Sequence, residues 1–294
     1  MTTLKMTAAL LLALALGLTA AAAMAEGDAG SGGVLYANAQ GETVTCTAPD
    51  GTPYTLRPGE SLVRWPSGDF VVVPNQFAYG YVTSKNRWNS ITNPYSKDLE
   101  DFFRGVRGNN LCFGTAASIA YSIQTGGSFE DFWEGVMSIS SDVHPTTLMN
   151  KKRDKLYADS PIAAFLRQSG FSVDSASLKA SVGKINQNIE NGTSYIVTRK
   201  GGHAGTVVRV YIEDGQTKLA YADAQLKSSQ PVPATIRTDT INNFNKTVVV
   251  ITPDSQTDGI EKEVYAKNTG AVHMLPHRAL LFPHIPSPMA PIAA

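Results

Sequence analysis

Short runs of alternating or apolar residues occur early in the chain, and Pro, Gly and Asp separate them. Runs of this kind between turn-forming residues are typical of β-strands. They predict five strands, at Val34–Ala37, Thr43–Thr47, Tyr54–Leu56, Leu62–Trp65 and Phe70–Val73. The pattern therefore predicts a small β-rich region at the N-terminal end.

The pattern changes to helical spacing in the middle of the chain. Ser96, Ser128 and Ser160 each precede acidic residues or a proline and then an apolar stripe, which is typical of a helix N-terminus. A weaker helical pattern runs over 145–157, and an amphipathic helical pattern over 182–190 ends at Asn191-Gly192. The sequence therefore predicts several helices after the β-rich region.

Strand patterns return after these helices, at Phe171–Val173, Tyr195–Thr198 and Phe244–Thr252, around a long hairpin. Helices followed by strands favour an α+β domain, in which a helical layer packs on an antiparallel sheet. A cleft between two such layers is a common location for an active site.

The first residues have the pattern of an export signal. Lys5 precedes a run of mainly Ala and Leu over 6–24, and the run ends in Ala-Met-Ala. A membrane anchor is the alternative, but the Ala-x-Ala end favours cleavage after Ala25. We therefore expect residues 1–25 to be a signal peptide and the mature protein to be secreted or periplasmic, without stable membrane insertion.

The remaining chain divides into three predicted parts. Residues 26–95 form the β-rich region, which could be a propeptide, a binding module or an edge of the main domain. Residues 96–253 form the main α+β domain, and residues 254–294 form a proline-rich tail that is not expected to hold regular structure. The 25 basic and 25 acidic side chains give no net charge and lie along the whole chain, so no nucleic-acid surface is expected.

Cys112 stands at the start of a run of small and apolar residues. Ala116, Ile119 and Ala120 recur at helical spacing and predict a buried helix face. Asn109 or Asn110 could cap that helix, which would place Cys112 in its first turn. The helix dipole favours a thiolate there, so we expect a nucleophile, although a buried structural cysteine is the alternative.

A predicted hairpin brings a histidine and an acid together. His203 opens one strand, Asp214-Gly215 forms the turn, and the second strand ends at Asp223. Strands paired in this register place Asp223 beside His203, where the carboxylate could orient the imidazole. Cys112, His203 and Asp223 are therefore the candidate catalytic residues.

These residues and their surroundings resemble the papain-like cysteine peptidases, closest to the branch of bacterial peptidases that cleave double-glycine leader peptides. The resemblance covers approximately Lys97–Pro253. It rests on Cys112 in its Ala-rich helix, His203 in Gly-His-Ala-Gly, Asp223 in Tyr-Ala-Asp, and the helix-then-strand pattern over Ile185–Val197.

The resemblance implies a papain-like fold and hydrolysis of a peptide or protein substrate through a thioester, with no metal or organic cofactor. Such families carry a glutamine shortly before the cysteine, where it lines the oxyanion hole. Val106 occupies that position here, so Asn109 or Asn110 is the candidate oxyanion donor. An exported peptidoglycan amidase or endopeptidase is a second interpretation, although such domains usually have a shorter spacing between cysteine and histidine.

Two further patterns have competing interpretations. Cys46 and Cys112 are the only cysteines, and an exported protein with two cysteines could join them in a disulfide, which would make it a non-catalytic binding module. His273, His277 and His284 lie close in sequence, but no cysteine or carboxylate cluster accompanies them, so no metal site is predicted. His144, before a proline, is predicted to be a turn residue.

Overall fold

Short strands make up the first described segment. The computed structural model describes residues 33–76, 96–103, 111–139, 160–224 and 232–254. The strands are β1 (Gly33–Ala37), β2 (Val44–Thr47), β3 (Pro53–Leu56), β4 (Ser61–Arg64) and β5 (Phe70–Val73). Strands β1, β4 and β5 form an antiparallel sheet, and β2 pairs with β3 as a separate ribbon. All five predicted strands are confirmed, with ends that differ by one residue at most.

Helices follow, and those that begin at Lys97, Phe129 and Pro161 stand directly after the three predicted serine caps. They are α1 (Lys97–Phe102), α2 (Cys112–Thr125), α3 (Phe129–Ile139), α4 (Pro161–Gln168), α5 (Leu178–Ser181) and α6 (Ile185–Glu190). The Ser96 hydroxyl accepts from the Leu99 backbone N–H, and the Ser160 hydroxyl accepts from that of Ala163, as N-caps do. The predicted helix over 182–190 is instead a 3₁₀ turn followed by α6.

Six further strands form one antiparallel sheet. They are β6 (Phe171–Ser177), β7 (Ser194–Arg199), β8 (His203–Glu213), β9 (Gln216–Asp223), β10 (Thr235–Thr240) and β11 (Thr247–Pro253). Their order across the sheet is β10-β9-β8-β7-β11-β6. The molecule is thus a mixed α+β protein with antiparallel sheets and a helical layer, as the helix-then-strand pattern predicts.

Helix α2 lies in the centre of the packing because small and branched apolar residues cover most of its surface. Ala117 and Ala120 share a buried cluster with Trp133 of α3, whereas Ile119 shares a second cluster with Val207 of β8. Close contact on both sides fixes the position of the helix against the strand that begins at His203.

The β-rich region packs into the same core as α2. Trp65 and Val71 belong to the cluster that contains Ile119, and the Ser61 hydroxyl donates to the Ala234 carbonyl at 2.6 Å. These contacts join the three-stranded sheet to the helical layer and to the segment before β10.

Several predicted features lie outside the described residues. They are the signal peptide, residues 77–95 of the β-rich region, the helix over 145–157 and the tail after residue 254. Within the described ranges, no helix is long and apolar enough to cross a membrane.

Candidate active site

Cys112 is the first residue of α2, so its predicted place in the first helical turn is confirmed. The predicted asparagine cap is wrong, because the residue at the N-cap is Leu111, whose apolar side chain cannot accept a hydrogen bond. The Leu111 carbonyl accepts from both the backbone N–H and the hydroxyl of Thr115, which holds the first turn together. Asn109 and Asn110, the candidate oxyanion donors, lie outside the described residues, as does Val106.

The hairpin forms as its sequence predicts. Asp214 and Gly215 both have positive φ angles, 51° and 70°, which suits the twist of the two strands that they join. The ladder of β8 and β9 runs from Glu213 opposite Gln216 back to Thr206 opposite Ala222. The pairing shifts by one residue between Val207 and Arg209, so the turn and this β-bulge together set the register that returns the end of β9 to the start of β8.

His203 and Asp223 meet at the open end of the hairpin, away from the Asp214-Gly215 turn. His203 Nε2 lies 2.7 Å from Asp223 Oδ1, so the predicted proximity of the two residues is confirmed. The His203 side chain is 16% exposed and that of Asp223 only 2%. A hydrogen bond of this length, sheltered from water, fixes the orientation of the imidazole ring.

Arg237 is a second partner of the Asp223 carboxylate. Its Nε atom lies 2.8 Å from Asp223 Oδ2, the oxygen that does not face the histidine. The arginine comes from β10, which pairs along the outer side of β9. Asp223 is thus held from two sides, by an imidazole on β8 and a guanidinium on β10.

The surroundings of His203 strongly favour its protonated form. Burial by itself lowers the pKa of His203, but the hydrogen bond to Asp223 and the charges of Asp223 and nearby Cys112 outweigh it and raise the pKa from 6.5 to about 9. The imidazolium is therefore the main form at neutral pH. A cation beside the sulfur is the condition that favours a cysteine thiolate.

Cys112 lies against the other side of the histidine. Its Sγ atom contacts the Gly202 carbonyl at 3.9 Å, one residue before His203. Because Nε2 faces Asp223, Nδ1 is the nitrogen left for the sulfur, and this buried atom has no hydrogen-bond partner among the residues that the structure describes. The sulfur is thus close enough to raise the histidine pKa without a formed hydrogen bond to Nδ1.

A buried hydrogen bond ties the cysteine helix to the histidine strand. The Thr206 hydroxyl, three residues after His203, donates to the Ala116 carbonyl at 2.8 Å, one helical turn after Cys112. Both residues are fully buried. The bond limits sliding of α2 along β8, and so limits changes in the spacing of sulfur and imidazole.

The local geometry explains why both glycines of the Gly-His-Ala-Gly motif are glycine. Gly202 has a φ angle of 96°, which allows the tight turn into β8. At Gly205, a Cβ atom would lie 2.6 Å from the Tyr221 ring and 2.8 Å from the Ala222 carbonyl oxygen. The absence of a Cβ atom at Gly205 therefore lets the Tyr221 ring pack directly on β8, close to the candidate site.

Cys46 has a different environment. It lies in β2, packs against the cluster of Ala48, Leu56 and Leu62, and is free, as is Cys112. Burial raises the pKa of the Cys46 thiol. The Cys46–Cys112 disulfide of the non-catalytic interpretation is therefore not formed in this structure.

A metal site requires several ligating side chains close together. Across the described ranges, no three His, Cys, Asp or Glu side chains lie together as a metal site would require. His144, His273, His277 and His284 lie outside those ranges.

Sequence reasoning missed Arg237 and Thr206. Strand β10, which carries the arginine, is largely polar, and only its β-branched residues, Ile236 and three threonines, could have indicated a strand. Thr206 lies in an apolar strand, where a hydroxyl group could have been flagged as needing a buried acceptor.

The sequence matches no protein-family model and no curated protein.

Proposed function

We propose that this protein is an exported, papain-like cysteine peptidase that hydrolyses peptide or amide bonds through a Cys112–His203–Asp223 triad. The observation that carries the proposal is the buried 2.7 Å contact between His203 and Asp223, with Cys112 close enough to raise the histidine pKa. Three groups from separate elements, in the order nucleophile, base and orienting acid, are the arrangement that acyl transfer requires.

In the proposed first half-reaction, the Cys112 thiolate attacks the substrate carbonyl carbon and forms a carbon–sulfur bond. The carbonyl π electrons move to the oxygen, which becomes an oxyanion. His203 then donates its Nδ1 proton to the leaving nitrogen, the carbon–nitrogen bond breaks, and the amine departs. A thioester on Cys112 remains.

In the second half-reaction, neutral His203 takes a proton from water as the water oxygen attacks the thioester carbon. Collapse of the second tetrahedral intermediate breaks the carbon–sulfur bond and releases a carboxylic acid product. The thiolate and the imidazolium are restored, so the cycle needs no oxidant, reductant or further reactant.

Asp223 acts on the imidazole and not on the substrate. Its bond to Nε2 keeps Nδ1 directed away from the acid and towards the sulfur. Oxyanion stabilisation is assigned to the Cys112 backbone N–H, since helical N–H groups in the first turn have no intrahelical acceptor. Asn109 or Asn110, directly before the helix, is proposed as the second donor.

Two aspects of the fold support a papain-like arrangement and one sequence feature supports export. The nucleophile begins a central helix, and the histidine and acid lie on neighbouring strands of an antiparallel sheet. The apolar run after Lys5, ending at Ala25, supports export.

The proposal is tested by alkylation of the mature protein with iodoacetamide and mass-spectrometric mapping of the two cysteines. We expect Cys112 to be labelled much faster than Cys46 at neutral pH, because a neighbouring imidazolium favours a nucleophilic sulfur. Cys46, whose pKa is raised by burial, is the internal control and should react only at higher pH. Equal labelling of both cysteines at every pH would reject the activated nucleophile.

Substrate class is tested in parallel with a peptide library and with purified cell-wall sacculi. Cleavage of peptides that requires Cys112 supports the peptidase. Release of sacculus fragments without peptide cleavage would favour the amidase or endopeptidase, and an unreactive Cys112 with neither activity would favour a binding module.

A further inference from the structure

Asp223 is an almost fully buried carboxylate that lies between two side chains able to carry a positive charge. His203 Nε2 contacts one oxygen at 2.7 Å, and Arg237 Nε contacts the other at 2.8 Å. The arginine side chain is 46% exposed, but its Nε reaches an acid that is 2% exposed. The guanidinium therefore combines a solvated end with a contact in the interior.

The strand register explains how the arginine reaches this acid. Thr235 is the residue opposite Asp223, and Arg237 lies two positions further along β10, opposite Tyr221. Residues two apart on a strand share a face, so Arg237 is the diagonal neighbour of Asp223. A long side chain spans that diagonal, whereas a short one would not.

The proposed reaction makes a demand on Asp223 that His203 alone does not meet. The histidine is a cation before it protonates the leaving nitrogen and is neutral afterwards. A buried carboxylate without a counter-charge is strongly unfavourable, so the neutral state of His203 would be costly if the imidazolium were the only cation. Arginine stays charged throughout the cycle.

We propose that Arg237 is a positioning residue that keeps Asp223 ionised and fixed in both protonation states of His203. It does so by holding the second carboxylate oxygen. This inference rests on the proposed function and deepens it, because it assigns the permanent counter-charge of the triad. Arg237 acts through Asp223 and does not touch the substrate.

The other ionisable groups around the pair have different roles. Cys112 on α2 faces the histidine, and Arg199, opposite His203 on β7, pairs with Asp239 of β10 at 2.6 Å. Tyr221 on β9 has its pKa raised first by burial and then by the Asp223 charge, so it stays neutral over the range of interest. Arg237 is therefore a permanent cation in direct contact with the Asp223 carboxylate, on the oxygen that His203 does not contact.

The test is a pH titration of the His203 ring by ¹⁵N NMR in the purified full-length mature protein. The chain has five histidines, so the His203 signal can be assigned by its loss in His203→Ala. We expect Arg237→Gln to move the His203 titration to higher pH, because removing the arginine makes the imidazolium the main counter-charge of Asp223. In the active enzyme, kcat should fall about tenfold with little change in KM, since the proton is donated less readily.

Two matched variants separate charge from bulk structure. Arg237→Lys keeps the cation, so its titration should stay close to that of the wild type even if kcat is partly lost. Arg199→Gln removes a neighbouring cation of the same sheet that pairs with a different acid, and it should not move the titration. An unchanged or lowered titration in Arg237→Gln, or an equal shift in Arg199→Gln, would overturn the proposal.

Folding failure also has a defined outcome. If Arg237→Gln does not fold, the double variant Arg237→Gln/Asp223→Asn should fold, because a neutral amide needs no counter-charge. If the double variant also fails to fold, Arg237 is a structural residue and the proposal is wrong. The titration needs no turnover: a shift in a protein that hydrolyses nothing would reject the peptidase alone, and an unmoved titration in an active enzyme would reject this inference alone.

Discussion

The hairpin of β8 and β9 carries an acid–base pair at each end, and the two pairs differ in nearly every physical respect. At the open end, His203 meets Asp223 in the interior of the protein. At the turn end, Lys218 pairs with Glu213, whose side chain is 52% exposed. Both pairs join the same two strands, so strand geometry alone does not distinguish them.

The difference lies in burial and in the proton affinity of the base. A hydrogen bond to Glu213 raises the pKa of Lys218, which was already far above neutral, so the lysine does not change its charge near pH 7. The His203 pKa, raised to about 9, lies where a base can exchange protons under ordinary conditions. Exposed pairs such as Lys218–Glu213 contribute little to stability, because solvent screens their charges.

The largest expected effect is loss of the proposed nucleophile and proton donor at the open end of the hairpin. Cys112→Ala and His203→Ala should each abolish hydrolysis, because neither leaves a substitute nucleophile or proton donor. Cys46→Ala is the control and should keep full activity, since Cys46 packs in a separate cluster. Circular dichroism and kcat/KM measurements check both. A Cys46→Ala protein as inactive as Cys112→Ala would favour the disulfide interpretation.

Loss of the orienting acid should have a smaller effect than loss of the nucleophile. We expect Asp223→Ala to lower kcat by about 10- to 1,000-fold, because the ring loses its fixed orientation but keeps its proton-transfer chemistry. Glu213→Ala, at the exposed end of the same hairpin, should leave kcat unchanged and serves as the matched control. Equal losses in the two variants would indicate that the hairpin, and not the Asp223 carboxylate, is what activity requires.

The raised His203 pKa also predicts how stability depends on pH. The folded pKa is about 9, and the unfolded value is 6.5, so folding binds a proton to His203 between these values. This contribution to stability is fully present below about pH 6.5 and is lost as pH rises through about pH 9. Urea unfolding midpoints measured across this range should fall more steeply in the wild type than in His203→Gln. Parallel pH profiles in the two proteins would contradict a raised histidine pKa.

Much of this hairpin was predictable because its signals are local. Asp214-Gly215 between two β-like runs determines the turn and the register of the strand pairs beside it, although the β-bulge between Val207 and Arg209, which adjusts the register towards His203 and Asp223, was not predicted. The serine caps at Ser96 and Ser160 likewise depend on neighbouring residues only. These features could be predicted because nothing distant is needed to form them.

What sequence reasoning missed depends on contacts between distant parts of the chain. Strand β10 has half-exposed polar residues, and it exists because β9 offers it an edge for pairing. Arg237 could not be linked to Asp223 before that pairing was known. The asparagine cap was a wrong prediction because a favourable residue type does not decide where a helix begins: α2 begins with Leu111 at its cap, where the leucine is buried in the core.

The smallest expected effect is at the turn itself. Asp214 has a φ angle of 51°, a conformation that Asp tolerates better than Ala. Asp214→Ala should therefore lower the free energy of unfolding by about 1 kcal/mol while kcat stays at the wild-type value, because the residue lies at the far end of the hairpin from His203. Asp214→Gly, which suits a positive φ, should keep both stability and activity. Urea unfolding and steady-state kinetics on the two variants check this, and a large loss of kcat in Asp214→Gly would show that the two ends of the hairpin are not independent.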